Sequence, residues 1–166
     1  MNNYFSVFDV PVSFDLDSAN LEQRYFAVQR ICHPDRLVGK PTAERQQAIL
    51  RSMQANEAYE TLKTPLLRAR HMLALQGIYV GAEKDTVKPA PALLMEIIEL
   101  REALEEALSA DKVKILHDQN QQSINAQIHS LSQAFAKSDT QTATKGTLRL
   151  GYLLKIAEEL RLKAIA

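Results

Sequence analysis

Cysteine is nearly absent from this chain of 166 residues: Cys32 stands alone, so no internal disulfide can form and no multi-cysteine zinc or iron–sulfur site can assemble within one copy. A reducing compartment fits that usage. Tryptophan is missing, and only five glycines and six prolines interrupt the sequence. Runs of β-branched residues are scarce whereas Ala, Leu, Glu, Gln and Arg are common, a composition that predicts an all-α fold. Excess charge of either sign is lacking too. The 20 Lys and Arg residues balance 20 Asp and Glu, which argues against nucleic acid as the main partner, because that binding rests on clustered cations neutralising phosphates. No apolar run approaches the roughly 18 residues of a membrane span. The opening Met1-Asn2-Asn3-Tyr4 has neither the basic nor the apolar region of a signal peptide, so a cytoplasmic protein with no transit peptide and no membrane partner is expected. There is no phosphate-cradling Gly-x-x-x-x-Gly-Lys and no cysteine set for ligation, so no nucleotide, cluster or metal cofactor is expected.

What is present is helical periodicity in two blocks. Tyr4, Phe5, Val7, Phe8 and Val10 open the chain as one short apolar helix ended by Pro11, too short to stand without packing on something. Asp17 or Ser18 offers an N-cap to a second helix, in which Leu21, Tyr25, Val28 and Cys32 form a core stripe while Glu22, Arg24, Gln29 and Arg30 are expected to face water. A third helix starts at Pro41 or Thr42 and runs to about Lys63. Its face of Ala48, Ser52, Ala55, Tyr59 and Leu62 suits close, antiparallel packing on the second. Pro65 punctuates, and Leu66 to Leu75 mark another short helix.

Between Gln76 and Pro91 the periodicity lapses around Gly77, Gly81, Pro89 and Pro91, the best domain boundary in the chain. The expected division is a domain over 1–75, a linker over 76–88, and a three-helix bundle over 89–166. The bundle stripes are Leu93, Ile97, Leu100, Leu104 and Leu108; then Val113, Leu116, Ile124, Ile128, Leu131 and Phe135; then Leu150, Leu153, Leu154, Ala157 and Leu160. Ser138-Asp139-Thr140 supplies the turn and cap between the last two.

The second helix runs into His33-Pro34-Asp35. Proline excludes the preceding residue from the α region, so the helix should end at or next to His33 and the tripeptide should be displayed. Alone, His-Pro-Asp is compatible with an ordinary polar loop, and two ligand types without further His or Cys nearby make no metal site. Its setting is more specific. Upstream lies Leu21-x-x-Arg24-Tyr25-x-x-Val28-Gln29-Arg30, and downstream Asn56-Glu57-Ala58-Tyr59-Glu60-Thr61-Leu62-Lys63-Thr64-Pro65. With the Tyr4-Phe5 opening, these segments resemble a J-domain over roughly residues 2–75. The resemblance implies a helical hairpin presenting His33, Pro34 and Asp35 to a DnaK-class ATPase chaperone and stimulating its ATP hydrolysis. Asp35 would accept from a partner arginine, with Arg24, Arg30 and Arg36 as a positive rim that steers an acidic surface.

The second block lacks Gly/Phe-rich linkers and Cys-x-x-Cys repeats. Its Leu93-Leu94-Met95-Glu96-Ile97-Ile98-Glu99-Leu100-Arg101-Glu102-Ala103-Leu104-Glu105 stretch, and the Pro65-Leu66-Leu67-Arg68-Ala69 junction, resemble the HscB family of J-type co-chaperones of iron–sulfur cluster assembly. At about 100° per residue, Leu94, Met95 and Ile98 are left over once the core face is complete, and Glu99, Glu102 and Glu106 extend the same outer surface. Clustered exposed apolar groups mark protein contacts. In the resembled family this helix binds an IscU-type scaffold and the partner chaperone is HscA-like; the contacts carried over are Leu94, Met95, Ile98, Glu99, Glu102, Glu106 and Tyr152. Tyr152 stands where the family tends to have phenylalanine, Cys32 where an aromatic is usual, and Leu37 where phenylalanine is frequent. The implied role is a bacterial, cytoplasmic co-chaperone, not an enzyme, that delivers scaffold to the chaperone. The alternative is a J-domain co-chaperone for a different client.

Overall fold

Asp17, not Ser18, caps the first long helix: its carboxylate accepts the amide hydrogens of Ala19 and Asn20, satisfying donors that a helix start leaves unpaired. The computed structural model describes residues 2–81 and 87–166. Within them lie helices α1 (Tyr4–Val7), α2 (Ser18–Ile31), α3 (Thr42–Lys63), α4 (Pro65–Ala74), α5 (Pro91–Glu106), α6 (Ala110–Ala136) and α7 (Thr140–Ile165), with a 3-10 turn over Pro34–Leu37 and no strand among the described residues. The all-α expectation holds. The chain divides into two compact units, Met1–Leu75 and Gln76–Ala166.

In the first unit α2 and α3 are antiparallel, as their register shows: Tyr25 faces Asn56 and Gln29 faces Ser52. Small residues on α3 allow the close approach, with Ala55, Ala58 and Leu62 buried. Leu21, Val28 and Cys32 are buried as the periodicity demands. Tyr25 is half-buried and stacks on Tyr59, ring centroids 4.3 Å apart. The helix α1 anchors through Phe5, fully buried, and through Tyr4, whose backbone N–H donates to His71 Nε2 at 3.0 Å while its ring stacks on the imidazole. Burial, reinforced by the Glu57 carboxylate that accepts the hydroxyl at 2.6 Å, pushes the Tyr4 phenol up to about 12.

Two residues expected to face water, both partly exposed, also make hydrogen bonds within this unit. Gln29 bridges the hairpin, donating to Asn56 Oδ1 and accepting from Ser52 Oγ. Arg24 turns back to donate to the carbonyls of Phe8 and Asp9 and to Asn20 Oδ1. Those carbonyls belong to a reversed segment with Asp9 in the left-handed region at φ 51°. No helix satisfies them, and the guanidinium does.

In the second unit the register alternates. Asn120 on α6 donates to the Leu153 carbonyl on α7, and Gln127 meets Arg149, so these helices are antiparallel. The pairs Glu96–Arg149 and Arg101–Glu159 advance together, so α5 and α7 are parallel. Ala107, Val113, Ile156 and Leu160 form a core with Leu100, Leu104 and Leu116 against it. The cap predicted before α7 is present, Asp139 accepting from the Thr142 amide.

Leu108 departs from its expected core role: it is 89% exposed. The Ser109 hydroxyl accepts the Lys112 amide hydrogen and starts α6, α5 stops at Glu106, and Ala107 enters the core instead. Of the expected 76–88 linker, residues 82–86 lie outside the described residues. Gln76 accepts from the Thr140 hydroxyl, and Val80 is buried.

Candidate functional site

At the hairpin tip, α2 stops because Pro34 holds His33 extended, at φ −64° and ψ 137°. Cys32 closes the helix, its amide donating to the Val28 carbonyl. Pro34 then opens the 3-10 turn with a fixed φ, and His33 caps it, Nδ1 accepting the Asp35 amide hydrogen at 3.2 Å. The Asp35 carboxylate lies 3.5 Å from the same nitrogen. In the neutral ring that lone pair is engaged by the amide, which places the ring proton on Nε2. The Asp35 side chain is about nine-tenths exposed, so the tripeptide spends its backbone on holding a turn and leaves an anionic acceptor pointing outward.

Of the three arginines predicted to rim the turn, Arg30 and Arg36 are exposed in the last turn of α2 and in the 3-10 turn. Arg24 is the exception, its guanidinium being occupied on the α1–α2 connection. Periodicity overlooked two large apolar side chains beside the turn, Ile31 and Val38, both exposed. Ile31 belongs to the last turn of α2 but falls off its core stripe, which was the available signal.

The second candidate surface is on α5. Pro91 sits at the first position of the helix, where its missing N–H costs nothing. Ile97 is the buried residue of α5, with Leu93, Leu100 and Leu104 half-buried beside it. Leu94, Met95 and Ile98 are 43%, 56% and 50% exposed, and Glu99, Glu102 and Glu106 are exposed along the same outer side. Half-exposed apolar side chains in three of five consecutive positions form a continuous patch. Tyr152 on α7 is half-buried, with Lys155 Nζ 5.4 Å from its ring centre. It falls between Arg149 and Glu159 along α7, as Ile98 and Glu99 fall between Glu96 and Arg101 along α5. The parallel register therefore sets the tyrosine level with the patch.

The histidines do not gather. His33 Nδ1 and His71 Nε2 each accept a backbone amide, and burial lowers the His71 pKa below its ordinary value. His117 and His129 are separated by three turns of α6 and are exposed. No helix of the described residues is long and apolar enough to cross a membrane.

Residues 89–161 match the family model of the HscB C-terminal oligomerisation domain. Over 165 residues the chain is 34% identical to the co-chaperone protein HscB homolog of Shewanella amazonensis, covering 95% of this chain and 94% of that protein. Its fold is similar to the crystal structure of human co-chaperone protein HscB, with a TM-score of 0.89 and 32% identity over 99% of this chain and 83% of the human one. It also resembles chaperone HscB from Vibrio cholerae, with a TM-score of 0.83 and 31% identity over 98% and 97% of the two chains.

Proposed function

The chain belongs to the HscB co-chaperone family, and from that membership we propose that it delivers an IscU-type iron–sulfur scaffold to an HscA-like chaperone of the DnaK class, stimulating the chaperone's ATPase. The observation that carries the reading is the coexistence in one chain of a displayed His33-Pro34-Asp35 turn and an outward apolar-to-acidic face on α5. The turn suits a cationic partner groove: Asp35 accepts from an arginine of the chaperone in a charge-assisted pair, and Arg30 and Arg36 favour an acidic surround. Leu94, Met95 and Ile98 supply the desolvated centre of a client contact, with Tyr152 beside them and Glu99, Glu102 and Glu106 as a polar rim.

Carrying both surfaces on one chain raises the effective concentration of scaffold at the chaperone, so hydrolysis is coupled to scaffold capture without a new contact between the two. The role is not enzymatic. The chain supplies binding energy and orientation, and the bond-breaking chemistry is the chaperone's. A bacterial cytoplasmic setting is consistent with the single reduced cysteine.

Steady-state ATP turnover of a purified HscA-like chaperone, measured with this protein, with apo-scaffold, and with both, tests the proposal. Stimulation by this protein that rises synergistically with scaffold is the expected result. Stimulation without synergy identifies a J-type co-chaperone for another client, and no stimulation removes the reading.

A further inference from the structure

We propose that Arg149 is a positioning residue for the scaffold-binding face: through Glu96 it fixes how α5 lies on α7, and so where Leu94, Met95 and Ile98 stand relative to Tyr152. The inference rests on the reading of that face as the scaffold site. Arg149 makes a two-pronged contact with the Glu96 carboxylate, Nε donating at 3.1 and 3.0 Å to its two oxygens and Nη2 at 2.6 Å to Oε1. Nη1 donates to Gln127 Oε1 on α6 at 3.0 Å, so one guanidinium joins all three helices of the unit. Gly146 makes room for this: a Cβ there would stand 2.6 Å from the Gln127 side-chain nitrogen.

A helix needs such a restraint when its apolar seam is thin. Ile97 is the buried side chain of α5, whereas α7 buries ten residues. A partly open pocket of about 200 Å³, reaching Gln119 and Ser123, lies among Leu100, Leu104, Leu116, Asn120, Ile156 and Leu160. Hydrophobic contact alone therefore leaves α5 able to roll. At about 100° per residue, Glu96 and Ile98 project from opposite flanks of the Ile97 line. The fork thus grips the helix from behind while the outer face stays open. A planar fork with two bonds resists rotation about the helix axis, which a point charge does not. Arg149 also stands one turn before Tyr152 on α7, so the residue that holds α5 is rigidly coupled to the ring at the patch edge.

Arg101–Glu159 is the internal control. It joins the same two helices by a single exposed contact of 3.3 Å and restrains no rotation.

The test is calorimetric titration of the full chain with purified apo-scaffold, alongside thermal unfolding and scaffold-free stimulation of the chaperone ATPase. Arg149→Gln and Glu96→Gln are each expected to weaken scaffold binding about tenfold, the equivalent of one charge-assisted contact. The double variant is expected to lose no more than either alone, because the pair acts as a unit. Arg149→Lys should recover part of the loss, and Arg101→Gln should stay within about twofold. ATPase stimulation without scaffold should be unchanged throughout. Wild-type affinity in Arg149→Gln overturns the inference, as does a loss in Arg149→Gln that Glu96→Gln does not share, which would make Arg149 a direct scaffold contact. A loss matched by a loss of folded protein and not relieved in Arg149→Lys overturns it as well. Failure of the wild-type chain to bind scaffold overturns the functional reading and this inference together, whereas normal wild-type binding with an indifferent Arg149→Gln overturns this inference alone.

Discussion

In the first unit the groups proposed to meet a partner are polar and stand on a 3-10 turn held by His33 and Pro34; in the second the proposed centre is apolar and stands on a regular helix. The first unit is stitched by hydrogen bonds and rings, with Tyr25, Gln29, Ser52 and Asn56 bridging the hairpin and His71 buried under Tyr4. The second buries mainly aliphatic side chains, together with Asn120, Thr144 and Thr147. A charged contact gains from direction, so it sits where the backbone is locked by proline and a cap. An apolar contact gains from area, so it sits where a helix lays side chains side by side. The two surfaces should therefore fail differently when altered.

The largest effect is expected from removing one charge at the turn. Asp35→Asn keeps the shape and the amide that His33 accepts, but loses the anion, and a truncated charge pair at an interface costs about 2–5 kcal/mol. ATPase stimulation should fall close to the chaperone's basal rate while scaffold affinity is unchanged. Next in size is Leu94→Ala/Met95→Ala/Ile98→Ala, which removes the apolar centre of the α5 face and is expected to weaken scaffold binding by about 3 kcal/mol, or a hundredfold. Scaffold-free stimulation should survive it. If either variant damages both readouts, the two surfaces are not separable and the comparison breaks.

The interiors respond differently to pH. Burial lowers the His71 pKa below 6.5, so the folded first unit holds this ring neutral. A folded-state pKa below the unfolded one gives stability that is complete above the unfolded value and is lost as pH falls through about 6.5 toward the folded value. One proton limits the slope to about 1.4 kcal/mol per pH unit. Amide exchange between pH 7.5 and 5.5 should show opening in α1 and α4 that increases on acidification, with α6 and α7, which bury no histidine, little changed. Equal loosening of both units would assign the effect elsewhere.

Much of this was legible in the chain itself. The caps at Asp17 and Asp139, the small-residue face of α3 and the outward Leu94, Met95 and Ile98 follow from periodicity and local hydrogen-bond chemistry, which neighbouring residues determine. Leu108 shows where periodicity misleads: it continues the α5 stripe on paper, but Ser109 offers an N-cap and the chain turns before it. The hydrogen bonds of Arg24 and Gln29 are hidden for another reason. Their partners lie 15 and 27 residues away, and a carbonyl left open by a reversed segment carries no signature in residue type. The Arg149–Glu96 pair, 53 residues apart, is hidden in the same way.

The smallest expected effect is the sharpest test of the comparison. Tyr152→Phe removes one hydroxyl from the edge of the apolar face, as Asp35→Asn removes one charge from the turn, and both keep the shape of the side chain. Lys155 lies over the Tyr152 ring, an attraction that phenylalanine retains. If recognition on this unit is by area, the hydroxyl exchanges water for water. Scaffold affinity should then change by less than about 0.5 kcal/mol, within roughly twofold. Tyr152→Ala removes the ring and should cost about 1–2 kcal/mol by the same titration. A Tyr152→Phe loss as large as the alanine loss would mean that the phenol makes a buried hydrogen bond to the scaffold, since a site built around a hydroxyl penalises its absence heavily. The second surface would then read its partner by directed polar contact, as is proposed for the first.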